Sequence, residues 1–336
     1  MKTNSVKLLL VVLLSTFNFQ PSTLFAQGAL TPSGAPAPTM KTLAQVEPRT
    51  PITNTSGPYT ISVPGSYYLT TNLTGASGNF GVTIATNGVT LDLNGFVLQG
   101  VSASYDGVRV NGNCTNITVR NGTITGWGWD GVDGNSFGTP YNLILEHLTV
   151  SNSGQEGITT GPGGIVRDCC SMGNIQSGIL CFGGLVSGCV ARDNGDYGVK
   201  VTNGVVQACQ VWNNASAGIV ASYSTVSGCY VGSSGFYGIW AYDNGCQIIG
   251  NNCVANGTGI YAQSSNNRIE DNHVTGSSTT GIRVLNSSYT NNIVVKNTVI
   301  GNVANNYNIP TNQIVGPLIS TAATITNSNP WANFSF

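Results

Sequence analysis

Charged residues are scarce in this chain. Only 7% of its 336 residues are Asp, Glu, Lys or Arg, and 12 basic against 13 acidic residues give a net charge of −1. A nucleic-acid-binding protein needs a basic face, and so few Lys and Arg do not make one. Sparse charge also argues against electrostatic steering of a polyanion. We therefore expect no nucleic-acid partner, and solubility that depends on Asn, Ser, Thr and Gly.

Long apolar runs are missing beyond the N-terminus. A basic start with Lys2 and Lys7 precedes an apolar core, Leu8–Leu14, and Ala26 is a candidate cleavage position. This run is too short to span a bilayer and has the pattern of a secretory signal. We expect residues 1–26 to be a signal peptide, no membrane span in the rest of the chain, and a mature protein that is secreted or held at the cell surface.

A short repeat organises the middle of the chain. Gly followed by Ile or Val recurs at near-constant intervals, and columns of Cys and Asn keep the same period of about 20 residues. Three columns in phase indicate a repeat protein. The positions are Gly157, Gly178, Gly198, Gly218 and Gly238; Cys169, Cys189, Cys209 and Cys229; and Asn174, Asn194 and Asn214.

Each repeat predicts short strands. Apolar residues alternate over three to five positions, as in Gly198–Val201 and Val206–Cys209, and Gly, Asn and Ser interrupt them. Such alternation is typical of strands joined by turns, and the frame of a leucine-rich repeat is missing. We predict an all-β fold, a right-handed parallel β-helix (solenoid) of about nine to ten coils, with about 20–26 residues in each. Each column of the sequence then becomes a ladder with a spacing of ~4.8 Å.

The Cys and Asn columns suit different places in such a coil. Cys is small and apolar, which suits an inward ladder, whereas Asn tolerates left-handed backbone and its amide can bond to the next amide in the stack. The cysteines number nine, so at least one thiol is unpaired. Stacked side chains point the same way, and we expect buried free thiols in the Cys column. No Cys-x-x-Cys pattern of a zinc site occurs.

The repeat, the Asn column and the segment Gly57–Leu98, with its "GPYTISVPGSYYL" and "GVTLDLNGFVL", resemble the secreted right-handed β-helix proteins of the pectate-lyase-like superfamily. The resemblance covers roughly Ile52–Asn308. It implies the fold more than an activity, because that superfamily includes lyases, glycosidases, epimerases, tailspikes and adhesins.

The chain is thereby divided into four parts. After the signal peptide, residues 27–50 are rich in Pro, Ala and Thr and are typical of a flexible linker. Residues 51–308 form the β-helix. Residues 309–336 form a tail that we expect to cap the last coil, because a solenoid has to hide its end strands.

The candidate site lies on the early coils, which are longer than the coils that follow them. Asp106, Asp130 and Glu156 each precede the Gly of successive coils, and Arg109 and Asp133 lie on the predicted outer face of the strands that follow. Extra residues in a repeat protein commonly form loops on its binding face. These five residues are the candidate catalytic group of the chain.

The consequence of this acid column depends on where its side chains point, which alternation does not decide at a turn. Carboxylates about 5 Å apart repel by ~1 kcal/mol in water and ~3 kcal/mol at an effective dielectric of 20. Such a column either raises a pKa or recruits a cation, most simply Ca²⁺ bound by Asp106, Asp130 and Glu156. The alternative is a solvated turn cluster with an Arg109–Asp133 surface pair worth at most ~1 kcal/mol.

Four aromatic residues are the candidate substrate-binding groups. Trp127 and Trp129 lie in one loop of an early coil, where their rings could stack on sugars. Trp240 and Tyr261 lie on the predicted outer face of later coils. The partner that these residues indicate is a polysaccharide or a cell-surface glycan.

The catalytic motifs of the resembling families do not carry over. The chain has two histidines, His147 and His273, and neither lies in a Gly-His-Gly, a Trp-x-Asp-His or an Asp-Pro-His. The resemblance to pectate lyases implies one remaining scheme, with Ca²⁺ held by acids and an arginine as base, for which Arg109 is the candidate.

Two functions from different classes follow. The first is a carbohydrate-binding or surface-adhesion solenoid without catalysis, favoured by the missing motifs and the sparse charge. The second is a polysaccharide lyase or glycoside hydrolase acting on an acidic polymer, favoured by the clustered acids, the arginine and the tryptophans. Acid–base cleavage needs a proton acceptor near the cleaved bond, and hydrolysis needs a carboxyl pair at a set separation.

Overall fold

The computed structural model describes residues 47–135, 141–321 and 328–336 of the chain. Residues 49–336 belong to one compact unit. The predicted signal peptide and residues 27–46 of the predicted linker lie outside the described residues. The described residues form strands, turns and bends, and contain no helix long and apolar enough to cross a membrane.

Parallel strands stack into a solenoid, which bears out the all-β, β-helical prediction. One sheet, called here the long sheet, has twelve strands in sequence order, one from each coil. They are Tyr59–Ile61, Val82–Ile84, Val108–Val110, Val132–Asp133, Ile158–Pro162, Ile179–Phe182, Val199–Thr202, Ala217–Ser222, Tyr237–Ala241, Thr258–Ala262, Thr280–Val284 and Asn305–Asn308.

Two further faces complete each coil. They join into one 24-stranded sheet because Thr115–Thr125 and Tyr141–Ser151 run through both faces. The second face otherwise contains Thr50–Ile52, Gly65–Leu69, Val89–Asp92, Ile165–Arg167, Leu185–Ser187, Val205–Gln207, Thr225–Ser227, Gln247–Ile249, Arg268–Glu270, Ile293–Val295 and Ile314–Val315. The third contains Leu73–Thr74, Val97–Gln99, Cys170–Met172, Val190–Arg192, Gln210–Trp212, Tyr230–Gly232, Asn252–Val254, His273–Thr275, Thr298–Ile300, Leu318–Ile319 and Asn333–Ser335.

The twelve coils of the long sheet exceed the nine or ten predicted. The difference lies at the two ends of the solenoid. In the first coil Gly57 is followed by Pro58, and the last strand, Asn305–Asn308, has no Gly. Both coils therefore lack the Gly-Ile/Val pair, although their backbones pair with the neighbouring coil in the same parallel manner.

Residues that occupy the same position in successive sequence repeats lie above one another in the structure. Ile158, Ile179, Val199, Ile219 and Ile239 pair in register on consecutive strands and are all 0% exposed. The core is thus a stack of aliphatic side chains inside the coil, each in contact with the equivalent residue above and below.

The recurring glycine precedes each long-sheet strand because the coils approach closely there. A Cβ atom added at Gly178 would lie 2.6 Å from the carbonyl oxygen of Gly198 and 2.7 Å from Nδ2 of Asn194. Those atoms belong to the backbone and to a buried amide of the next coil, so neither can move aside. The glycine column therefore permits the coil spacing.

The cysteines lie inside the coils as predicted. Cys169, Cys189, Cys209 and Cys229 are at most 2% exposed, and all nine thiols of the chain are free. The Cys209 thiol donates a hydrogen bond to the carbonyl oxygen of Val186 at 3.7 Å. The thiols thus pack as small apolar groups and satisfy backbone carbonyls at a corner of the coil.

The asparagines form buried amide ladders. Asn194 Oδ1 accepts hydrogen bonds from the backbone N–H of Asn174 at 3.2 Å and from its Nδ2 at 2.9 Å. Asn214 Oδ1 accepts the same pair from Asn194 at 3.1 and 2.9 Å. A second ladder, not anticipated from the sequence, runs through Asn251, Asn272, Asn297 and Asn333. Both ladders satisfy polar groups that water cannot reach.

The described parts of the C-terminal tail continue the solenoid. Ile314–Val315 pairs with Ile293–Val295, and Asn333–Ser335 pairs with Thr298–Ile300. Trp331 and Phe336 remain 46% and 40% exposed. The tail therefore adds one strand to the second face and two to the third, and leaves these two rings partly in solvent.

Cys209→Asp should lower the free energy of unfolding by at least about 3 kcal/mol, because it places an unpaired carboxylate among buried apolar side chains. Urea denaturation measures the change. Cys209→Ala, which removes the sulfur without adding charge, is the matched control and should cost much less. Equal losses in the two variants would show that the column tolerates charge and is not a dry interior.

Asn194→Ala should cost roughly 2–4 kcal/mol of stability, because the N–H and amide groups of Asn174 lose their acceptor inside the protein. Thermal or urea unfolding measures the loss. Asn54→Ala changes an exposed asparagine outside the ladders and serves as the control. A loss no larger than that of the control would contradict a stabilising role for the ladder.

Candidate functional site

The outer side of the long sheet, with the corner that leads into it, contains the predicted site residues except Trp127. We call Asp106, Arg109, Asp130, Asp133 and Glu156 the acid cluster. We call Tyr197, Phe236, Tyr237, Trp240, Tyr242 and Tyr261 the aromatic cluster. The acid cluster lies on the third to fifth coils and the aromatic cluster on the seventh to tenth.

The structure brings the five residues of the acid cluster together. Arg109 and Asp133 pair in register on neighbouring strands. The backbone N–H of Asp130 donates to Asp106 Oδ1 at 3.1 Å, and the backbone N–H of Glu156 donates to Asp130 Oδ1 at 3.1 Å. Each aspartate thus accepts a hydrogen bond from the acidic residue of the next coil, which defines the orientation that alternation could not predict.

Burial changes the protonation of two of these carboxyls. Asp106 and Asp130 are 3% and 7% exposed. Burial and the nearby Asp133 raise the pKa of Asp106 to about 7. Burial, Glu156 and the other two aspartates raise the pKa of Asp130 to about 8, against a hydrogen bond from Thr159 that lowers it. A raised pKa is one of the two consequences expected for an acid column.

Arg109 is held between a carboxylate and an aromatic ring. Its Nη1 lies 4.0 Å from Asp106 Oδ2, and its guanidinium carbon lies 4.3 Å from the centroid of the Phe80 ring. The side chain is 7% exposed. The solvated Arg109–Asp133 pair considered as an alternative is therefore wrong, because both side chains are buried, Asp133 to 1% exposure.

Three carboxyl oxygens of the acid cluster already accept hydrogen bonds within the protein. No group of three His, Cys, Asp or Glu side chains within the described ranges has a geometry that could hold a metal. Oδ1 of Asp106 and Oδ1 of Asp130 accept backbone N–H groups, and Oδ2 of Asp130 accepts the Thr159 hydroxyl. Ca²⁺ takes six to eight oxygen ligands, so a calcium ion here would compete with these donors for the same oxygens.

The two tryptophans of the early loop have different environments. Trp127 is 1% exposed, and its Nε1 donates to the carbonyl oxygen of Leu98 at 3.1 Å. Its ring occupies space left by glycines, since a Cβ at Gly81 would lie 2.6 Å from the ring. The prediction that Trp127 binds substrate is therefore wrong, because the ring lies in the core.

Trp129 lies at the surface with 39% exposure. Its ring stacks on Tyr105, with centroids 4.3 Å apart and an interplanar angle of 25°. Phe80 lies 5.1 Å from Tyr105 and 6.3 Å from Trp129. Phe80 and Tyr105 were not among the predicted site residues, and they lie just before the glycines of successive coils, as the acids do.

The aromatic cluster is the largest group of ring contacts among the described residues. Trp240 lies 5.1 Å from Tyr237, 5.0 Å from Tyr242, 6.3 Å from Tyr261 and 6.5 Å from Tyr197. Tyr237 and Tyr261 stack at 4.5 Å with an interplanar angle of 14°. The rings therefore form one continuous surface along the solenoid axis.

Exposure differs within the aromatic cluster. Phe236 and Tyr242 are 64% and 46% exposed, whereas Tyr261 is only 5% exposed. The indole Nε1 of Trp240 donates to Gln263 Oε1 at 3.1 Å, which holds the ring in place. Of the two predicted residues, Trp240 thus presents part of its ring at the surface and Tyr261 supports the rings around it.

Comparisons with known proteins agree with this architecture. Residues 204–330 match a family model described as a right-handed β-helix region. A search of curated proteins found no match. Among solved structures, the chain is similar to the A-module of a mannuronan C-5 epimerase from Azotobacter vinelandii, with 16% identity, a TM-score of 0.61 and coverage of 80% of this chain and 90% of that one.

Two further solved structures have the same fold, with comparable sequence identity and TM-scores. The Dettilon tailspike protein has 16% identity and a TM-score of 0.58 over 80% of this chain and 61% of its own. A periplasmic alginate epimerase has 12% identity and a TM-score of 0.51 over 80% of this chain and 72% of its own. Identities this low support the fold alone. Together with the stacked parallel coils, these matches show that the chain has a right-handed β-helix fold.

Proposed function

We propose that this protein binds a polysaccharide on the outer surface of the long sheet, and that the aromatic cluster is the main contact surface. The observation that carries the proposal is the continuous set of rings around Trp240, with Phe236 and Tyr242 substantially exposed. Exposed apolar patches mark interaction sites on soluble proteins. Flat rings complement the apolar faces of sugar rings, and the hydroxyl groups of Tyr can bond to those of a sugar.

A polymer fits the shape of this surface better than a compact ligand does. The rings from Tyr197 to Tyr261 lie on three coils within a span of four, which at ~4.8 Å per coil corresponds to roughly 14 Å along the axis. Two of the structurally similar proteins are named for mannuronan and alginate, which supports a carbohydrate ligand. The low content of charged residues is compatible with sugar contacts that are made mainly by aromatic rings and hydroxyl groups.

Trp240→Ala should weaken binding to a confirmed polysaccharide by about fivefold or more, because truncating a central aromatic contact commonly costs above ~1 kcal/mol. Affinity electrophoresis or calorimetry against a polysaccharide panel measures the effect. Tyr230→Ala removes a 41%-exposed ring from the third face and should bind like the wild-type protein. If Trp240→Ala binds normally to a polysaccharide that the wild type binds, the aromatic cluster is not the binding surface.

A lyase or hydrolase acting at the acid cluster is the second candidate function. The observation in its favour is that Asp106 and Asp130 have pKa values of about 7 and 8, since a general acid works best when its pKa is near the ambient pH. Their low exposure opposes it, because a substrate would have to reach carboxyls that are buried. Incubation with acidic and neutral polysaccharides, followed by assays for new reducing or unsaturated ends, tests this function. Loss of product with Asp130→Asn would support it, and the absence of product throughout the panel would refute it.

The raised pKa values also predict how stability depends on pH. The folded protein keeps protons on Asp106 and Asp130 up to about pH 7 and 8, whereas the unfolded chain releases them near pH 4. Stability is therefore fully present at acidic pH and falls as the pH rises from about 4 to about 8, by at most ~1.4 kcal/mol per pH unit for each carboxyl.

Urea denaturation at a series of pH values in this window measures that slope. The double variant Asp106→Asn, Asp130→Asn should flatten it, because the amides keep an oxygen acceptor but cannot ionise. Asp193→Asn, at an exposed site, is the control and should keep the wild-type slope. A wild-type stability that rises across the window would contradict the protonation assigned to the acid cluster.

A further inference from the structure

Arg283 differs from the other arginines of this protein. Six of the seven have a carboxylate oxygen within 4.0 Å: Arg49 and Arg120 with Asp92, Arg109 with Asp106, Arg167 with Glu146, Arg192 with Asp193, and Arg268 with Glu270. Arg283 has no such partner among the described residues. Its Nε atom is buried and has no hydrogen-bond partner within the described part of the chain. A buried donor of a charged group without an acceptor is unusual in a folded protein and requires an explanation.

The place of Arg283 in the fold connects it with the aromatic cluster. Trp240, Tyr261 and Arg283 pair in register on three consecutive strands of the long sheet. The guanidinium carbon of Arg283 lies 5.5 Å from the centroid of Tyr261, and Tyr237 stacks on the same ring. A guanidinium that contacts a ring in this way does not use its N–H groups on that ring, so they can donate to other acceptors.

A groove of about 260 Å³ adjoins the arginine. Its lining includes Phe236, Tyr237, Gly257, Thr258, Thr279 and Arg283. The lining includes one cation and no Asp or Glu. The groove is smaller than the roughly 300–1,000 Å³ of pockets for drug-sized ligands, which suits one unit of a chain that continues along the surface.

Gly257 lines the groove at a point where neighbouring coils approach closely. It stands on the coil between Phe236 and Thr279, and a Cβ at this position would lie 2.3 Å from the backbone oxygen of Phe236. Thr279 Oγ1 donates to the carbonyl oxygen of Gly257 at 2.7 Å and lies 2.9 Å from Thr258 Oγ1. The floor of the groove therefore consists of backbone and hydroxyl groups, with the exposed ring of Phe236 on one side.

We propose that this groove is a subsite for an anionic group carried on a sugar ring, a carboxylate or a sulfate, with Arg283 as the residue that selects it. The inference rests on the proposed polysaccharide-binding function and adds the charge of one bound unit. The Nε and Nη donors of an arginine form a planar fork that matches two oxygens of a carboxylate or sulfate. A bound anion would supply the acceptor that Nε lacks, while Phe236 and Tyr237 contact the apolar face of the same ring.

Binding of three oligosaccharide probes of matched length tests this subsite: galacturonate oligomers, sulfated dextran oligomers and neutral dextran oligomers. Calorimetry compares the wild type with Arg283→Met, which keeps much of the side-chain volume and removes the charge, and with Arg283→Lys, which keeps the charge without the fork. Arg192→Met removes an arginine on the third face and is the matched control. Thermal unfolding of each variant establishes that it is folded.

The subsite predicts that the wild type binds one or both acidic probes more tightly than the neutral one. Arg283→Met should lower that affinity by at least about tenfold and leave affinity for the neutral probe unchanged. Arg283→Lys should lie between the two, and Arg192→Met should match the wild type. Preference for the galacturonate or for the sulfated probe identifies the anion as carboxylate or sulfate.

Other outcomes separate this inference from the proposed function. Tight binding of the neutral probe with no acidic preference, or equal losses on all probes in Arg283→Met, would overturn the subsite and keep the polysaccharide-binding surface. Acidic binding that depends on Arg283 and not on Trp240 would keep the subsite and overturn the role of the aromatic cluster. A wild-type protein that binds none of the three probes would overturn both.

Discussion

The parallel pairing of each coil with the next is the interaction on which this structure depends. Backbone hydrogen bonds hold neighbouring coils at ~4.8 Å, and this spacing places residues from distant parts of the sequence side by side. The glycine column permits the approach, and the buried amide ladders satisfy the polar groups at a turn. The acid and aromatic clusters both consist of side chains from different coils, which this pairing brings together.

The fold could be predicted because its repeat is regular. From Gly178 to Gly238 the glycines recur with a constant period, and equivalent residues then pair in register with no bulge. The end coils could not be counted from the sequence because they lack the Gly-Ile/Val pair, although backbone pairing does not require it. The Gly-Ile/Val pair indicates close packing of the coils at one corner, and the terminal coils have other residues at that corner.

The site could be predicted only in part, because side-chain direction fails to follow alternation at the corners. The register brought Arg109 beside Asp133 as the spacing indicated, but the aspartates preceding the glycines accept hydrogen bonds from the next coil. Trp127 lies in the core because glycines of neighbouring coils leave room for its ring. The residues missed, among them Phe236 and Tyr237, become a cluster only when coils are stacked.

Because the rise per coil is constant, the distance between two sites along the axis is proportional to the number of coils that separate them. Asp133 and Trp240 lie on long-sheet strands separated by five coil steps, which corresponds to roughly 24 Å along the axis. Because each coil contacts only its neighbours, gain or loss of one whole coil between them would change this separation by a single increment of ~4.8 Å and leave both clusters intact. The distance between the acid and aromatic clusters can therefore change only in whole coil steps. Duplication or loss of a coil would alter this distance without changing the residues of either cluster.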